Sequence, residues 1–119
     1  MSIEDDIYTR LSGIAGGRVA PVVSDQGTPL PRVTYTFVSA APEVALNGAN
    51  KLHNATVQLD CWDSTMAGAR ALLRSVQAAM TPDGADFRVG DVRHNPEQWE
   101  ADTGIYRASA DFSLWYTEA

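Results

Sequence analysis

Ile105-Tyr106-Arg107-Ala108-Ser109-Ala110-Asp111-Phe112-Ser113-Leu114-Trp115-Tyr116-Thr117 alternates without a break. Tyr106, Ala108, Ala110, Phe112, Leu114 and Tyr116 fall on one side, and Arg107, Ser109, Asp111, Ser113 and Trp115 on the other. Successive side chains of a strand point to opposite faces, so this is a strand with one face toward a core and the other toward water or a partner. Asn54–Trp62 repeats the pattern, with Ala55, Val57, Leu59 and Cys61 inward and Thr56, Gln58, Asp60 and Trp62 outward. In Val33–Ser39 the residues Val33, Tyr35 and Phe37 oppose Thr34, Thr36 and Val38. Phe87–Arg93 reads as a further strand, interrupted at Gly90. One apolar and one polar face are the mark of an antiparallel sheet covered on one side.

The cover is helical. Ser2–Gly13 carries Ile3, Ile7, Leu11 and Ile14 at helical spacing, Ser2 as a cap, and Glu4, Asp5 and Asp6 at the positive end of the helix dipole. Met66–Met80 follows the cap-forming Asp63, Ser64 and Thr65, and its expected buried stripe is Ala69, Leu72, Leu73, Val76 and Met80. Thr81-Pro82-Asp83-Gly84 stops it by turn chemistry. Arg18–Arg32, with Pro21, Gly27, Pro29 and Pro31, reads as an irregular connector with a short extended piece at Val19–Val23. The expectation is therefore one α+β domain over residues 1–119. It is an antiparallel four-stranded sheet with two helices on one face, in the order α-β-β-α-β-β.

Two links stand out. Ala40–His53 is long for a hairpin, whose loop is usually about 2–5 residues, and this suggests a functional arm. Asn95–Gly104 is an acidic loop holding Pro96 and Trp99.

With 119 residues, 45% hydrophobic and 20% charged, the chain supports a single core. No apolar run is long enough to span a bilayer and the first residues do not form a signal peptide, so the expectation is a soluble, intracellular protein without membrane contact. The formal net charge of −6 disfavours a grip on nucleic-acid phosphates. Residues 81–104 hold Asp83, Asp86, Asp91, Glu97, Glu100 and Asp102 against Arg88 and Arg93, a locally acidic stretch.

Catalytic signals are weak. His53 and His94 lack neighbours at metal-ligand spacing, so no metal is assigned. Cys61 alternates inward with Val57 and Leu59 and reads as core. Gly13, Gly16 and Gly17 follow a helix and lack the lysine of a phosphate loop, which argues against a nucleotide cofactor. A small hydrolase would need Asp60, Asp111 and His94 to converge. The tryptophans are more informative. Trp62 and Trp115 lie on the otherwise polar strand face and Trp99 in the acidic loop, positions that suit an interface. A protein-binding adaptor domain outside any virus fits the same residues.

Several segments together resemble the phage tail-completion or tail-terminator proteins of the gp17-like type, also found in gene-transfer-agent particles and prophages. They are the N-terminal helix ending in Leu11 and Gly13, Pro29-Leu30-Pro31-Arg32-Val33-Thr34-Tyr35, Leu46-Asn47-Gly48, and Val57-Gln58-Leu59-Asp60-Cys61-Trp62 running into Ala67-Gly68-Ala69-Arg70-Ala71-Leu72. Thr103-Gly104 leading into the C-terminal strand is the most characteristic piece.

The resemblance implies a structural virion protein, not an enzyme, that needs no cofactor. Such a protein is assembled in the bacterial cytoplasm and placed at the head-proximal end of the tail. It caps the tail tube, ends its polymerisation and joins it to the head connector, as a hexameric ring through which DNA passes without specific binding. A head–tail connector or neck component is the nearest alternative. A domain of this length has an expected radius of gyration of about 13–14 Å, and six in a ring leave a hole wide enough for a duplex. On this reading Asp83, Asp86, Asp91 and Glu100 line the channel and repel DNA. Val44, Leu46, Gly48 and Leu52 of the arm, with Trp62, Trp99 and Trp115, meet a neighbouring subunit or the tube.

Overall fold

The computed structural model describes residues 3–21, 30–39 and 52–117. Along the chain it places α1 (Ile3–Leu11), β1 (Val19–Pro21), β2 (Arg32–Ser39), β3 (Leu52–Asp63), α2 (Met66–Met80), β4 (Arg88–His94), β5 (Gln98–Glu100) and β6 (Ile105–Thr117). A short 3-10 turn at Ala15–Gly17 joins α1 to β1, with Gly16 and Gly17 at φ of 62° and 83°.

The α+β class holds, but the sheet is not a four-stranded antiparallel one. It has six strands and is mixed, in the order β1-β2-β3-β6-β4, with β5 also on β6. β1 runs parallel to β2, pairing Val19 with Val33 and Pro21 with Tyr35. β5 pairs Trp99 with Tyr106. β1 falls within the extended piece read at Val19–Val23, but its parallel pairing, and β5 altogether, do not follow from the sequence: each is three residues long, too short to display a period, and alternation carries no information on the direction of a partner. Because β3 takes one edge of β6, β5 and β4 follow one another along the other edge.

The central β3–β6 pair keeps unbroken register from Leu52↔Thr117 to Asp63↔Tyr106. At β4 the register skips between Val89↔Leu114 and Asp91↔Ser113, so Gly90 is an extra residue and the strand bulges. The bulge returns both Val89 and Val92 to the apolar face, where they pack against the core. A side chain at Gly90 would begin 3.0 Å from Trp115 Nε1, so the indole would have to shift to admit one.

α2 starts where Thr65 Oγ1 accepts from the Gly68 amide at 3.0 Å, and its buried residues are Ala69, Leu72, Leu73, Val76 and Met80, the stripe its spacing implies. The Ser2 cap of α1 lies outside the described residues; Ile7 and Leu11 are buried, with Ile3 and Ile14 packed beside them. Helices and sheet close one core that includes Val33, Val57, Leu59, Phe87, Phe112 and Leu114. Each large apolar side chain buried there contributes about 1.5–3 kcal/mol.

Arg10 fastens the last turn of α1 to the loop after α2. Its Nε and one terminal nitrogen donate to the two Asp86 carboxylate oxygens at 2.9 and 2.6 Å, and the guanidinium also donates to the carbonyls of Met80, Pro82 and Phe87. It lies 3.9 Å from the centre of the Phe87 ring.

Candidate assembly surfaces

The sheet face away from the helices is built in rows, since residues opposite each other on neighbouring strands share a face. Arg32, Trp62 and Arg107 form one row, Thr34, Asp60 and Ser109 the next, then Thr36, Gln58, Asp111 and Arg93. Inside this face polar atoms find one another. Gln58 Nε2 donates to both Asp60 oxygens at 2.9 and 3.2 Å, and an Arg107 nitrogen lies 3.6 Å from Asp60. Asn95 Nδ2 donates to Ser109 Oγ and to Asp111 Oδ1 at 3.0 and 2.9 Å. Trp62 Nε1 donates to Thr34 Oγ1 at 3.0 Å, and the Arg32 guanidinium sits 5.7 Å from its ring. The Trp62 indole is thus anchored within its own chain and half-buried.

Asp60 and Asp111 are engaged in separate rows of this face. His94 shares its row with Ala110, on the helix-bearing face, so the three residues of a hydrolase reading do not converge. Burial, and then the Asp60 charge, push the Cys61 thiol far up, which removes it as a nucleophile at neutral pH. Among the described residues no group of three side chains fits a metal, and no helix is long and apolar enough to cross a membrane.

The other two tryptophans are exposed, at opposite ends of β6. Trp99, 57% exposed, tilts against Tyr106 at 6.2 Å. Trp115 borders a groove of about 560 Å³ formed with Phe87, Arg88, Val89 and Tyr116, and Tyr116 stacks on His53 at 5.4 Å. Nine residues of strand put the two indoles roughly 30 Å apart. Trp99, opposite Tyr106, stands on the helix-bearing side of the sheet and Trp115, opposite Asn54 and Arg88, on the other, so the two exposed indoles mark opposite ends and opposite faces of β6.

Known proteins bear on this directly. A family model described as "Tail completion protein gp17" matches residues 6–117. The chain belongs to the tail completion protein gp17 family. Membership assigns it a structural role in a phage-type tail, associated with the virion. A chain in a solved structure titled "Virion of native gene transfer agent (GTA) particle" superposes with a TM-score of 0.54 at 20% identity, covering 92% of this chain and 90% of that one. At that identity the likeness speaks for the fold. No curated protein sequence matches.

In this member of the tail completion family the acidic positions are spread out. Asp83 and Asp86 lie in the loop before β4, Asp91 within β4 facing Ser113, and Glu100 at the end of β5. Asp83, Asp91 and Glu100 are exposed, whereas Asp86 is half-buried against Arg10, whose hydrogen bonds hold its carboxyl below the usual range. Of the arm, Leu52 opens β3 opposite Thr117, and Val44, Leu46 and Gly48 lie outside the described residues. Sequence reading missed a second feature. Beside α2, Arg70, Leu73, Arg74 and Gln77 line a groove with His94 and Glu97, and Arg70 donates to the two Glu97 oxygens at 2.6 and 2.7 Å. The signal was Arg70 and Arg74 on the helix side opposite the apolar stripe, four residues apart. Tyr8, 47% exposed on α1, was missed as well.

Proposed function

We propose that this tail completion protein caps the tail tube, ends its polymerisation and joins it to the head connector, as a hexameric ring around a DNA channel. The observation that carries the reading is that the two edges of the sheet are unlike. One is a three-residue parallel strand, β1, and the other is the bulged β4 followed by β5. Unlike edges favour head-to-tail contact, and head-to-tail contact that closes makes a ring. The body measures 50 × 25 × 23 Å. Six such bodies side by side, each presenting its shorter width, leave an opening of about 25 Å, enough for a duplex.

The polar sheet face lines that opening. On it Arg107 stands by Asp60 and Arg93 of β4 lies across from Asp111, so the phosphates meet positive charge offset by carboxylates. Exposed Asp83, Asp91 and Glu100 along the β4–β5 edge add repulsion, and Asp86 serves as a fastener instead. Trp99 and Trp115 meet tube and connector at the two ends, and the arm with Val44, Leu46, Gly48 and Leu52 reaches the adjacent subunit or the tube.

Light scattering across a concentration series, negative-stain imaging and mixing with tail-tube protein test this. The expected result is an open-centred hexamer, alone or on tube ends. A protein that stays monomeric and leaves tube length unchanged overturns it. Deleting residues 43–50 should abolish assembly while leaving the monomer folded by circular dichroism.

A further inference from the structure

We infer that in the ring Val44 and Leu46 of one copy seat in the groove bordered by Trp115 of the next copy, with Glu43 against its Arg88. This rests on the head-to-tail ring proposed above and names the surface that receives the arm.

The groove holds about 560 Å³, and Ala85, Phe87, Val89, Trp115 and Tyr116 give it an apolar lining. Of its two charged members Asp86 is held by Arg10, whereas Arg88 is exposed and 3.8 Å from an exposed Asp83, a pairing worth little in water. Register places the arm at the same end of the sheet. β2 ends at Ser39 and β3 begins at Leu52 opposite Thr117; the next two rows join His53 to Tyr116 and Asn54 to Trp115 and Arg88. In its own chain the groove lies beyond β3 and β6, three strand spacings or about 14 Å from β2. Copies meeting edge to edge, a body width of 25 Å apart, bring the neighbour's β4 to the β1 side, which sets its groove about 11 Å from β2.

Length and chemistry suit the arm to that groove. Residues 40–51, outside the described residues, number 12. Drawn out, the middle of such a link stands up to about 20 Å from either strand end. In Glu43-Val44-Ala45-Leu46 the two larger apolar side chains are two positions apart, on one side of an extended segment, and an acid precedes them. Glu43 and Lys51 are the only charges among residues 40–51, so the acid beside the apolar pair complements the loosely held arginine at the groove. Tryptophan, tyrosine and arginine are the side chains that most often anchor interfaces, and Trp115, Tyr116 and Arg88 all border this one groove. The consequence is an end surface made by two subunits. A seated arm lies against Trp115, so the surface offered there to tube or connector is complete only between joined copies.

The experiment cross-links full-length protein through disulfides. Leu46→Cys marks the arm and Ala85→Cys an exposed position on the groove wall, while Cys61 is fully buried and out of reach. The two variants are co-expressed, oxidised and separated by mass without reductant; circular dichroism confirms the fold, and light scattering and occupancy of tail-tube ends report assembly. The expected product is the mixed dimer, with each variant alone staying uncrosslinked, and the chain carrying both changes should give a ladder up to six. Glu43→Arg should lower the yield several-fold, and adding Arg88→Glu to the same chain should restore it. If rings form but the mixed dimer is missing, or the doubly changed chain closes only on itself, this joint is overturned and the ring stands. A yield unchanged by Glu43→Arg strikes out the contact with Arg88. A wild type that neither forms rings nor occupies tube ends overturns both joint and ring.

Discussion

On the helix-bearing face of the sheet Val57, Leu59, Ala110 and Phe112 are fully buried, and on the opposite face Thr34, Asp60 and Ser109 are nearly so. The routes differ. The first face is covered by α1 and α2 and gains by leaving water. The second is shielded by its own long neighbours, Arg32, Trp62, Arg107 and Gln58 in the same and adjacent rows, and its buried Thr34, Asp60 and Ser109 each hold a hydrogen bond, while Arg107 Nε is buried without one. Burial alone therefore does not tell core from interface in this molecule. What tells them apart is how each face fails.

The helix-bearing face should fail by volume. Phe112→Ala removes a fully buried ring and should cost about 3–5 kcal/mol in urea unfolding. Arg10→Ala, which frees the loop holding Phe87, should cost about 3 kcal/mol, since it strands the half-buried Asp86 carboxylate. Because Asp86 has its pKa lowered in the fold, the stability it lends is complete above its ordinary value of 3.8 and is lost as pH falls below that toward the folded value. Asp86→Asn should flatten this acid limb in a pH series of melts.

The opposite face should fail by partnership. Asp60→Ala leaves Arg107 without its carboxylate and should cost about 2 kcal/mol, with little further loss when Arg107→Ala is added. Full additivity of the two changes would show that Asp60 and Arg107 are not coupled and would erase the distinction. Trp62→Phe, smallest of all, should cost about 1 kcal/mol, the worth of the bond to Thr34, as read by thermal melting.

How far the sequence reveals this depends on length and on distance along the chain. β3, β6 and α2 are legible because each repeats its period several times, and the buried stripe of α2 follows residue by residue from Leu72, Leu73 and Val76. β5 is not, and of β1 only the extended backbone is, because three residues show no period and their place in the sheet comes from β2 and β6. Gly90 announces an irregularity whose consequence, the return of Val92 to the apolar side, needs the partner register. Asp86 reads as one more loop acid until Arg10, distant in sequence, captures it. The exposure of Trp99 and Trp115 is visible in pattern and context, whereas Trp62, equally outward by alternation, is claimed by Thr34. The groove at Arg74 and His94 joins a helix to a strand end and has no signature in either alone.

Pro21 and the Gly90 bulge give both rims of the sheet the same handicap as templates. An open edge invites strands to zip onto it without limit, and a ring subunit with such edges would grow fibres at the concentrations that assembly requires. In the proposed ring, with one rim short of a donor and the other kinked, copies would recognise each other by side chains. A side-chain joint has a defined angle, and a defined angle is what lets a chain of subunits come back to its own beginning and stop.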